Sequence, residues 1–492
     1  MYRYFDRMRD KFRPQELNNI LILLVGILGL MLYLNSGFAD SDFYWHATLG
    51  KTICSTGSIP KQDVFSWIAQ ENGFTETAHS WLSSIVIYLF TVICGGDIGG
   101  GVYCIVTAII FDIIVYTLLI RKMKCILFQN IASICLAGIT VTLFYSARPQ
   151  SVGYSLFALA VYMLFKTWEK PTWKSVTILA GISVLQANFH GGTLPMIFAF
   201  EALFCIASVI PSWQFGNLRH NVQNKWHTFK IFAASLVASF LAGMLNPYGI
   251  TLYWYFFITN NTVTKKYVTE WQPSTLFFSA TIITLTIIFI LFVILKGQRS
   301  FIRTFCIFAA LFMAGLHMRV AYYAMIIAFI MLILEVDQLD LQISKQLPYV
   351  IFASLNAVCL AAVISYGLDG RLWTDMNNPV PDELVEYLEE KSFSRPYTDY
   401  DDGGYLIAKG QKSFIDSRAD LFSDEVLKDG LYLSAFAFED ASEYERCFAQ
   451  YKFDAIILSR ESCFKFMNYL YTQVNWKQDF CSEDWVVFIP TV

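Results

Sequence analysis

Residues 20–34 read ILILLVGILGLMLYL, and shortly afterwards, at 40–46, the chain reads DSDFYWH. The first stretch is uncharged and apolar throughout, and it follows Arg3, Arg7, Arg9, Lys11 and Arg13 with no small-residue cleavage site behind it. That pattern predicts an uncleaved first membrane span with its N-terminus in the cytoplasm. The second stretch returns the chain to water with two carboxylates and a belt of aromatic rings. The composition agrees: of 492 residues, 55% are hydrophobic and only 15% charged, with a mean hydropathy of +0.46. Soluble domains are about a quarter charged, so an ordinary cytosolic globule is excluded.

Working outward, further apolar runs begin near Val102, Ile126, Val152, Ser175, Thr193, Ile231, Leu276, Phe301, Val320 and Tyr349. Each approaches the length needed for a hydrocarbon core about 30 Å thick. Two more runs, Trp81 to Cys94 and Ile250 to Thr259, are ambiguous, and the Lys and Arg count on each side separates the topologies. With both runs at the interface there are about eleven spans, and 18 basic residues of the body fall inside against 6 outside. If both cross, giving thirteen, the count becomes 10 against 14. The first arrangement is expected. It describes a mainly α-helical, multi-pass protein of the plasma membrane.

The net charge of -4 averages two opposite segments, because residues 371–492 hold 23 acidic and 12 basic residues and the body is basic. The expected domains are a membrane domain at 1–370, including a first external loop at 36–100 with juxtamembrane helices, and an extracytoplasmic small α/β domain at 371–492. In that tail, helices are expected at Asp382–Lys391, Asp424–Ala435, Ser442–Tyr451 and Cys463–Val474, alternating with strands near Arg395–Tyr400, Ser413–Asp416, Phe453–Leu458 and Trp485–Ile489. No basic aromatic stripe of the kind nucleic acid needs is present. No CxxC pair supports a zinc or redox site, and any bridging among Cys447, Cys463 and Cys481 is not legible in the spacing.

The expected topology sends the unusual polar residues outside. If the segment from Asp42 is helical, Asp42 and His46 are i,i+4 neighbours and Asp40 stands at the helix start. Carboxylates in that position suit a divalent cation or a general base, and they suit a polar N-cap before an aromatic belt equally well. The same face receives Glu76, His79, Arg148, His190, the pair Lys265-Lys266, Glu270 and Arg319. His190, flanked by two glycines, also reads as a helix end. Asp112 and Glu201 fall mid-span, where a carboxyl is costly without a partner. In the tail, Asp399, Asp401 and Asp402 before Gly403-Gly404, and Asp416 with Arg418 and Asp420, follow strand ends, where ligands bind in open α/β sheets. Acceptor or sugar recognition is one reading, and turn-forming Asp-Gly with an internal Asp416–Arg418–Asp420 charge network is the favoured one.

The motifs D-x-D-x-x-W-H (40–46), T-G-x-x-P-x-x-D-x-F-S (56–66), A-H-x-W-L (78–82), R-P-Q (148–150), H-G-G (190–192), N-P-Y-G (246–249), E-W-Q-P (270–273), D-Y-D-D-G-G-Y-L (399–406) and I-D-S-R-A-D-L (415–421) occur in this order. The order resembles the membrane glycosyltransferases of the C superfamily, and more narrowly a bacterial group within it. The superfamily includes protein O-mannosyltransferases, the aminoarabinose transferase of lipid A and the catalytic subunit of oligosaccharyltransferase.

The resemblance implies an inverting transferase that takes a sugar from a polyprenyl-phosphate donor and places it on an extracytoplasmic acceptor. In that scheme Asp42 or Asp40, with His46 beside them, positions or deprotonates the acceptor hydroxyl, with Mg or Mn as a candidate divalent cation on Asp40 and Asp42. Arg148, Arg319, His190, Lys265 and Lys266 are the candidate cations for the phosphate, with His79, Glu76 and Glu270 as further substrate-binding candidates. The chain departs from the pattern twice. Arg148-Pro149 stands where relatives often carry an acidic residue, and His79-Ser80-Trp81-Leu82 replaces H-E-W-L, with Glu76 as a substitute for the missing Glu. The alternatives from other classes are a transporter or flippase of lipid-linked glycans and a non-catalytic envelope scaffold. No inverted repeat or matched pair of broken helices favours transport.

Overall fold

The apolar run that opens the chain is helical: residues Pro14–Asn35 form one helix, and its Glu16–Leu34 portion is long and apolar enough to cross a membrane. Four other described helices meet the same condition, Gly96–Lys122, Ile126–Leu143, Gly191–Val209 and Met318–Val336. The helices Gln150–Glu169, Trp173–Phe189 and Lys225–Gly243 are of similar length but carry more Ser, Thr, Tyr and Gln. The computed structural model describes residues 14–35, 40–216, 218–222, 224–258, 264–268, 272, 299–316, 318–336, 380–434, 436–460 and 463–491. The runs expected near Leu276 and Tyr349 lie outside the described residues.

The chain divides into two compact units. The first comprises Met1–Phe38, Asp97–Ile250 and Glu270–Met376 and holds the five apolar helices named above. Its buried polar groups meet one another across helices, as a low-dielectric interior requires. Asn18 Nδ2 donates to Asn130 Oδ1 at 3.1 Å, and Thr140 Oγ1 donates to Asp112 Oδ1 at 2.6 Å. Ser235 and Ser239 both donate to Glu201 Oε1, at 2.6 and 2.8 Å. The two mid-span carboxyls thus act as hydrogen-bonded pins between helices. A small sheet also belongs here: β1 (Trp213–Phe215) pairs antiparallel with β2 (Leu218–His220), which pairs parallel with β3 (Arg299–Ser300).

The second unit comprises Ala39–Gly96, Thr251–Thr269 and Asn377–Val492. Its centre is a four-stranded sheet of β4 (Pro396–Tyr397), β5 (Ala455–Ser459), β6 (Trp476–Cys481) and β7 (Trp485–Pro490), in the order β4-β5-β7-β6. β4 and β5 are parallel, and β7 runs antiparallel to both neighbours. Alternate residues of β5 and β7 serve two cores. Ile456, Leu458, Val486 and Phe488 enter one, while Ala455, Ile457, Trp485 and Val487 enter the other. A sheet covered on both faces explains why AIILS and WVVFI read as continuous apolar runs rather than alternating ones.

The first core is completed by Trp67, Ile68 and Ala69 of the 36–100 loop. Trp67 N donates to Ser413 O and Ser413 N to Phe65 O, both at 3.0 Å, and Trp67 Nε1 donates to Pro396 O at 2.9 Å. The expected grouping of the 36–100 loop with residues 1–370 therefore gives way to a pairing of that loop with the tail. Hydrogen bonds between residues more than 300 positions apart override the hydropathy boundary. The four expected tail helices are found as Asp382–Lys391, Asp424–Leu433, Ala441–Tyr451 and Phe464–Thr472. An additional helix, Gly403–Ala408, and the edge strand β6 are present too, while Ser413 makes only an isolated bridge to Ser66.

Candidate active site

The site in the second unit is built on the helix Ser41–Thr56. Asp40 is its N-cap, in extended conformation at φ -130°, with its side chain accepting from Asp42 N at 3.0 Å. Gly57 closes the helix at φ 68°, a left-handed position that favours glycine. Asp42 lies in the first turn, where a carboxylate complements the helix dipole. Its Oδ1 accepts from Trp45 Nε1 at 3.1 Å and from Ser417 Oγ at 2.5 Å. Ser417 belongs to the tail, in the string IDSRADL.

Two glycines allow this assembly. A Cβ at position 404 would stand 2.2 Å from Ser41 O, and one at position 50 would stand 2.1 Å from Ser84 O. The tail helix Gly403–Ala408 can therefore seat on the start of the Ser41–Thr56 helix, with Gly404 N donating to Ser41 Oγ at 3.1 Å. On the other side, Gly50 admits the backbone of the helix Trp81–Cys94.

Behind Ser417 the string turns inward. Asp416 grips the Arg418 guanidinium with both oxygens, accepting from Nε at 2.8 Å and from Nη2 at 2.7 Å. Arg418 Nη1 also donates to Glu76 Oε2 at 2.7 Å and to Asp63 Oδ1. Asp63 Oδ2 in turn accepts from Phe65 N at 3.1 Å and Ser66 N at 2.5 Å. One guanidinium thus serves three carboxylates, and it lies 5.7 Å from the Trp45 ring and 5.2 Å from the Phe65 ring. Burial works against the Arg418 charge, and the attraction of Asp416, Asp63 and Glu76 outweighs it, so its pKa stands well above the ordinary value. Glu76 moves the other way. Burial, reinforced by the charges of Asp63, Asp416 and Asp420, pushes its carboxyl up to about 7 against the pull of Arg418.

Asp420 is oriented differently from the expected Asp416–Arg418–Asp420 network, since its Oδ2 accepts from Tyr255 OH. Desolvation, reinforced by the Asp42 charge, pushes its carboxyl up to about 6. The Tyr255 ring also packs against His79, with centroids 5.4 Å apart.

The sequence-predicted residues divide between the two units. The second collects Asp40, Asp42, His46, Glu76, His79 and Lys266. His46 is buried, with Nδ1 2.8 Å from Ser84 Oγ and its ring packed on Trp45, whereas Asp42 is held by Trp45 and Ser417. His79 Nδ1 lies 3.3 Å from Thr77 O. Lys266 is exposed, with Nζ 5.2 Å over the Tyr267 ring. The Lys265 side chain and Glu270 lie outside the described residues.

The first unit holds Arg148, Arg319 and His190. Arg148 and Arg319 line one cleft together with Tyr145, Gln150, Tyr154, Tyr322 and Tyr323, and none of the described lining residues is acidic. Tyr103 OH donates to Arg148 O at 3.1 Å, which fixes the turn before the helix Gln150–Glu169. His190 is buried at the end of the helix Trp173–Phe189, against Gly153, where a Cβ would lie 3.2 Å from its ring. Two guanidiniums and several phenols lining one concave surface suit an oxyanion such as phosphate.

A divalent cation on Asp40 and Asp42 fits this arrangement poorly. Asp40 serves as a helix cap and Asp42 Oδ1 already accepts two hydrogen bonds. Among the described residues no group of three His, Cys, Asp or Glu side chains is arranged to hold a metal ion.

No family model and no curated protein matches the sequence. Among solved structures, the chain is similar to an Archaeoglobus fulgidus oligosaccharyltransferase crystallised with an acceptor peptide, containing an NVT sequon, tethered by a disulfide bond. The TM-score is 0.46 at 12% identity, over 90% of this chain and 69% of that one.

Sequence reasoning missed Ser417, Asp63 and Tyr255. Ser417 sits inside a motif dominated by charged residues, and its neighbour in space is 375 positions away. Asp63 reads as one more turn residue until Arg418 is brought to it.

Proposed function

We propose that this chain is an integral-membrane, inverting glycosyltransferase that moves a sugar from a polyprenyl-phosphate donor to an extracytoplasmic acceptor hydroxyl on an envelope glycan, lipid or protein. The observation that carries the reading is Asp42. It is a carboxylate in the first turn of a helix that starts soon after an apolar helix, held by Trp45 and Ser417 rather than left to rotate. A carboxylate so oriented suits a general base. The cleft with Arg148 and Arg319, none of whose described lining residues is acidic, supports a phosphate-binding role for the first unit, and its five apolar helices suit a lipid-borne substrate. The motif order adds the resemblance to membrane glycosyltransferases.

In this reading the acceptor O–H gives its proton to Asp42 while the acceptor oxygen forms a new bond to the sugar's anomeric carbon. The bond from that carbon to the phosphate oxygen breaks, and its electron pair leaves with polyprenyl phosphate. Attack opposite the leaving group inverts the anomeric centre. Asp40 caps the helix that carries the base, and Glu76 and His79 shape its surroundings rather than touch the reacting atoms. The N-terminus lies in the cytoplasm and the acidic tail outside, in keeping with the distribution of basic residues.

The test is Asp42→Asn in the full-length protein, which keeps the shape and removes the base. Turnover is expected to fall about 100- to 10,000-fold, the range for loss of a general base, with the thermal midpoint retained. Wild-type turnover in that variant would remove Asp42 from the mechanism.

A further inference from the structure

We propose that Ser417, a residue of the C-terminal tail, is a positioning residue that sets the orientation of the Asp42 carboxylate. The inference rests on the reading of Asp42 as the base.

The bond directions can be deduced. The Trp45 indole N–H can only donate and the ionised Asp42 carboxylate can only accept. Trp45 Nε1 lies 3.1 Å from Asp42 Oδ1 and 3.1 Å from Ser417 Oγ, and Ser417 Oγ lies 2.5 Å from the same Asp42 oxygen. The serine must therefore accept from the indole and pass its own hydroxyl hydrogen to Asp42. Three groups close a triangle in which the single indole N–H is shared between Ser417 Oγ and Asp42 Oδ1 and the serine hydroxyl points to Oδ1. A carboxylate held by one donor can turn about its Cβ–Cγ bond. Held by two donors from different directions, it presents its plane, and so its second oxygen, at one angle.

Both donors are themselves fixed. Ser417 O accepts from Tyr400 OH at 3.0 Å, and the next residue, Arg418, is locked by Asp416, Asp63 and Glu76. The Trp45 ring is buried and packs on His46 at 3.5 Å between centroids, tilted by 30°. The tail is thereby part of the catalytic apparatus, reaching the base through one hydroxyl. Ser417 touches no reacting atom and changes no bond of the reaction. Its contribution is that the proton-accepting oxygen is already aimed when the acceptor hydroxyl arrives.

The experiment uses full-length protein in liposomes with a panel of polyprenyl-monophosphate hexoses and pentoses, labelled in the sugar, and envelope extract as acceptor, and follows release of polyprenyl phosphate. Ser417→Ala is expected to lower kcat about 10- to 100-fold with KM and thermal midpoint unchanged. Ser417→Thr, which keeps the hydroxyl, is expected to restore most of the turnover. In an Asp42→Asn background Ser417→Ala is expected to add no further loss, because the two act as one unit. Wild-type kcat in Ser417→Ala, or equal losses in the Ala and Thr variants, would overturn the proposal while leaving Asp42 as the base. Full turnover in Asp42→Asn, or none by the wild-type protein on the whole panel, would instead overturn the reading on which it rests.

Discussion

Arg418 Nη1 donates to Glu76 Oε2 at 2.7 Å, joining residues 342 positions apart in the chain. The same guanidinium holds Asp63 and Asp416, so three acids share one cation inside a buried pocket. The excess negative charge is relieved by keeping a proton on Glu76, whose carboxyl is raised from 4.5 to about 7. The folded chain thus holds a proton that the unfolded chain releases. The stability this contributes is full below about pH 4.5 and is lost as pH rises through about 7. The full-length protein should lose on the order of 1–3 kcal/mol between about pH 5 and pH 8. Glu76→Gln should flatten that dependence, read as the thermal midpoint at each pH. An unchanged slope would mean that Glu76 is ionised throughout.

Removing the cation is the more severe change. Arg418→Met leaves Asp63, Glu76 and Asp416 buried without their partner, and a loss of about 3–5 kcal/mol is expected. Arg418→Lys should recover only part of it, because an ammonium cannot engage Asp416 through two parallel bonds as the guanidinium fork does. Denaturant midpoints of the two variants against the wild-type protein give the comparison. Equal stability of all three would show that the cluster is dispensable.

The seat of the tail helix on the Ser41–Thr56 helix depends on a missing side chain. With a Cβ at 404 standing 2.2 Å from the Ser41 carbonyl oxygen, Gly404→Ala must push the two elements apart, at a cost of about 1–3 kcal/mol. Gly138→Ala, where a Cβ meets nothing within 4 Å, serves as the comparison and should be neutral or slightly stabilising. The thermal midpoints of the two variants decide the matter.

These three residues also mark what could be read in the sequence. The helix start at Asp40-Ser41-Asp42, the four tail helices and the buried strand at 455–459 are local features, set by capping, 3.6-residue periodicity and apolar run length. The strand Trp476–Cys481 was not legible because it is a polar edge strand with a register shift between Gln478 and Phe480. The pairing of the 40–96 loop with the tail was not legible for a different reason. Phe65, Trp67 and Asp63 find Ser413, Pro396 and Arg418 only after more than 300 residues have been folded between them. Of the candidate residues, Asp42 in the second unit and Arg148 and Arg319 in the first could be nominated from residue type and position. Ser417 could not, since a serine acquires meaning only from the carboxylate it meets.

The cleft in the first unit makes a separate prediction. Arg148→Ala and Arg319→Ala should each weaken binding of a polyprenyl monophosphate about tenfold, the loss of one charge-assisted hydrogen bond. Lysine at either position should retain part of the affinity. Binding of the lipid phosphate to detergent-solubilised protein, measured at two salt concentrations, would show this. Unchanged affinity in both alanine variants would place the phosphate elsewhere.

The central claim is that the sugar–phosphate bond is broken. The most direct measurement gives liposomes containing the full-length protein the panel of polyprenyl-monophosphate sugars, labelled in the sugar, with envelope extract as acceptor, and follows both the label and the lipid. Glycosyl transfer predicts that label moves into an acceptor with an equal amount of free polyprenyl phosphate, and that Asp42→Asn abolishes both. Label that crosses the bilayer with its bond to the lipid phosphate intact, at the same rate in wild type and Asp42→Asn, would contradict transfer and identify a transporter of lipid-linked sugars.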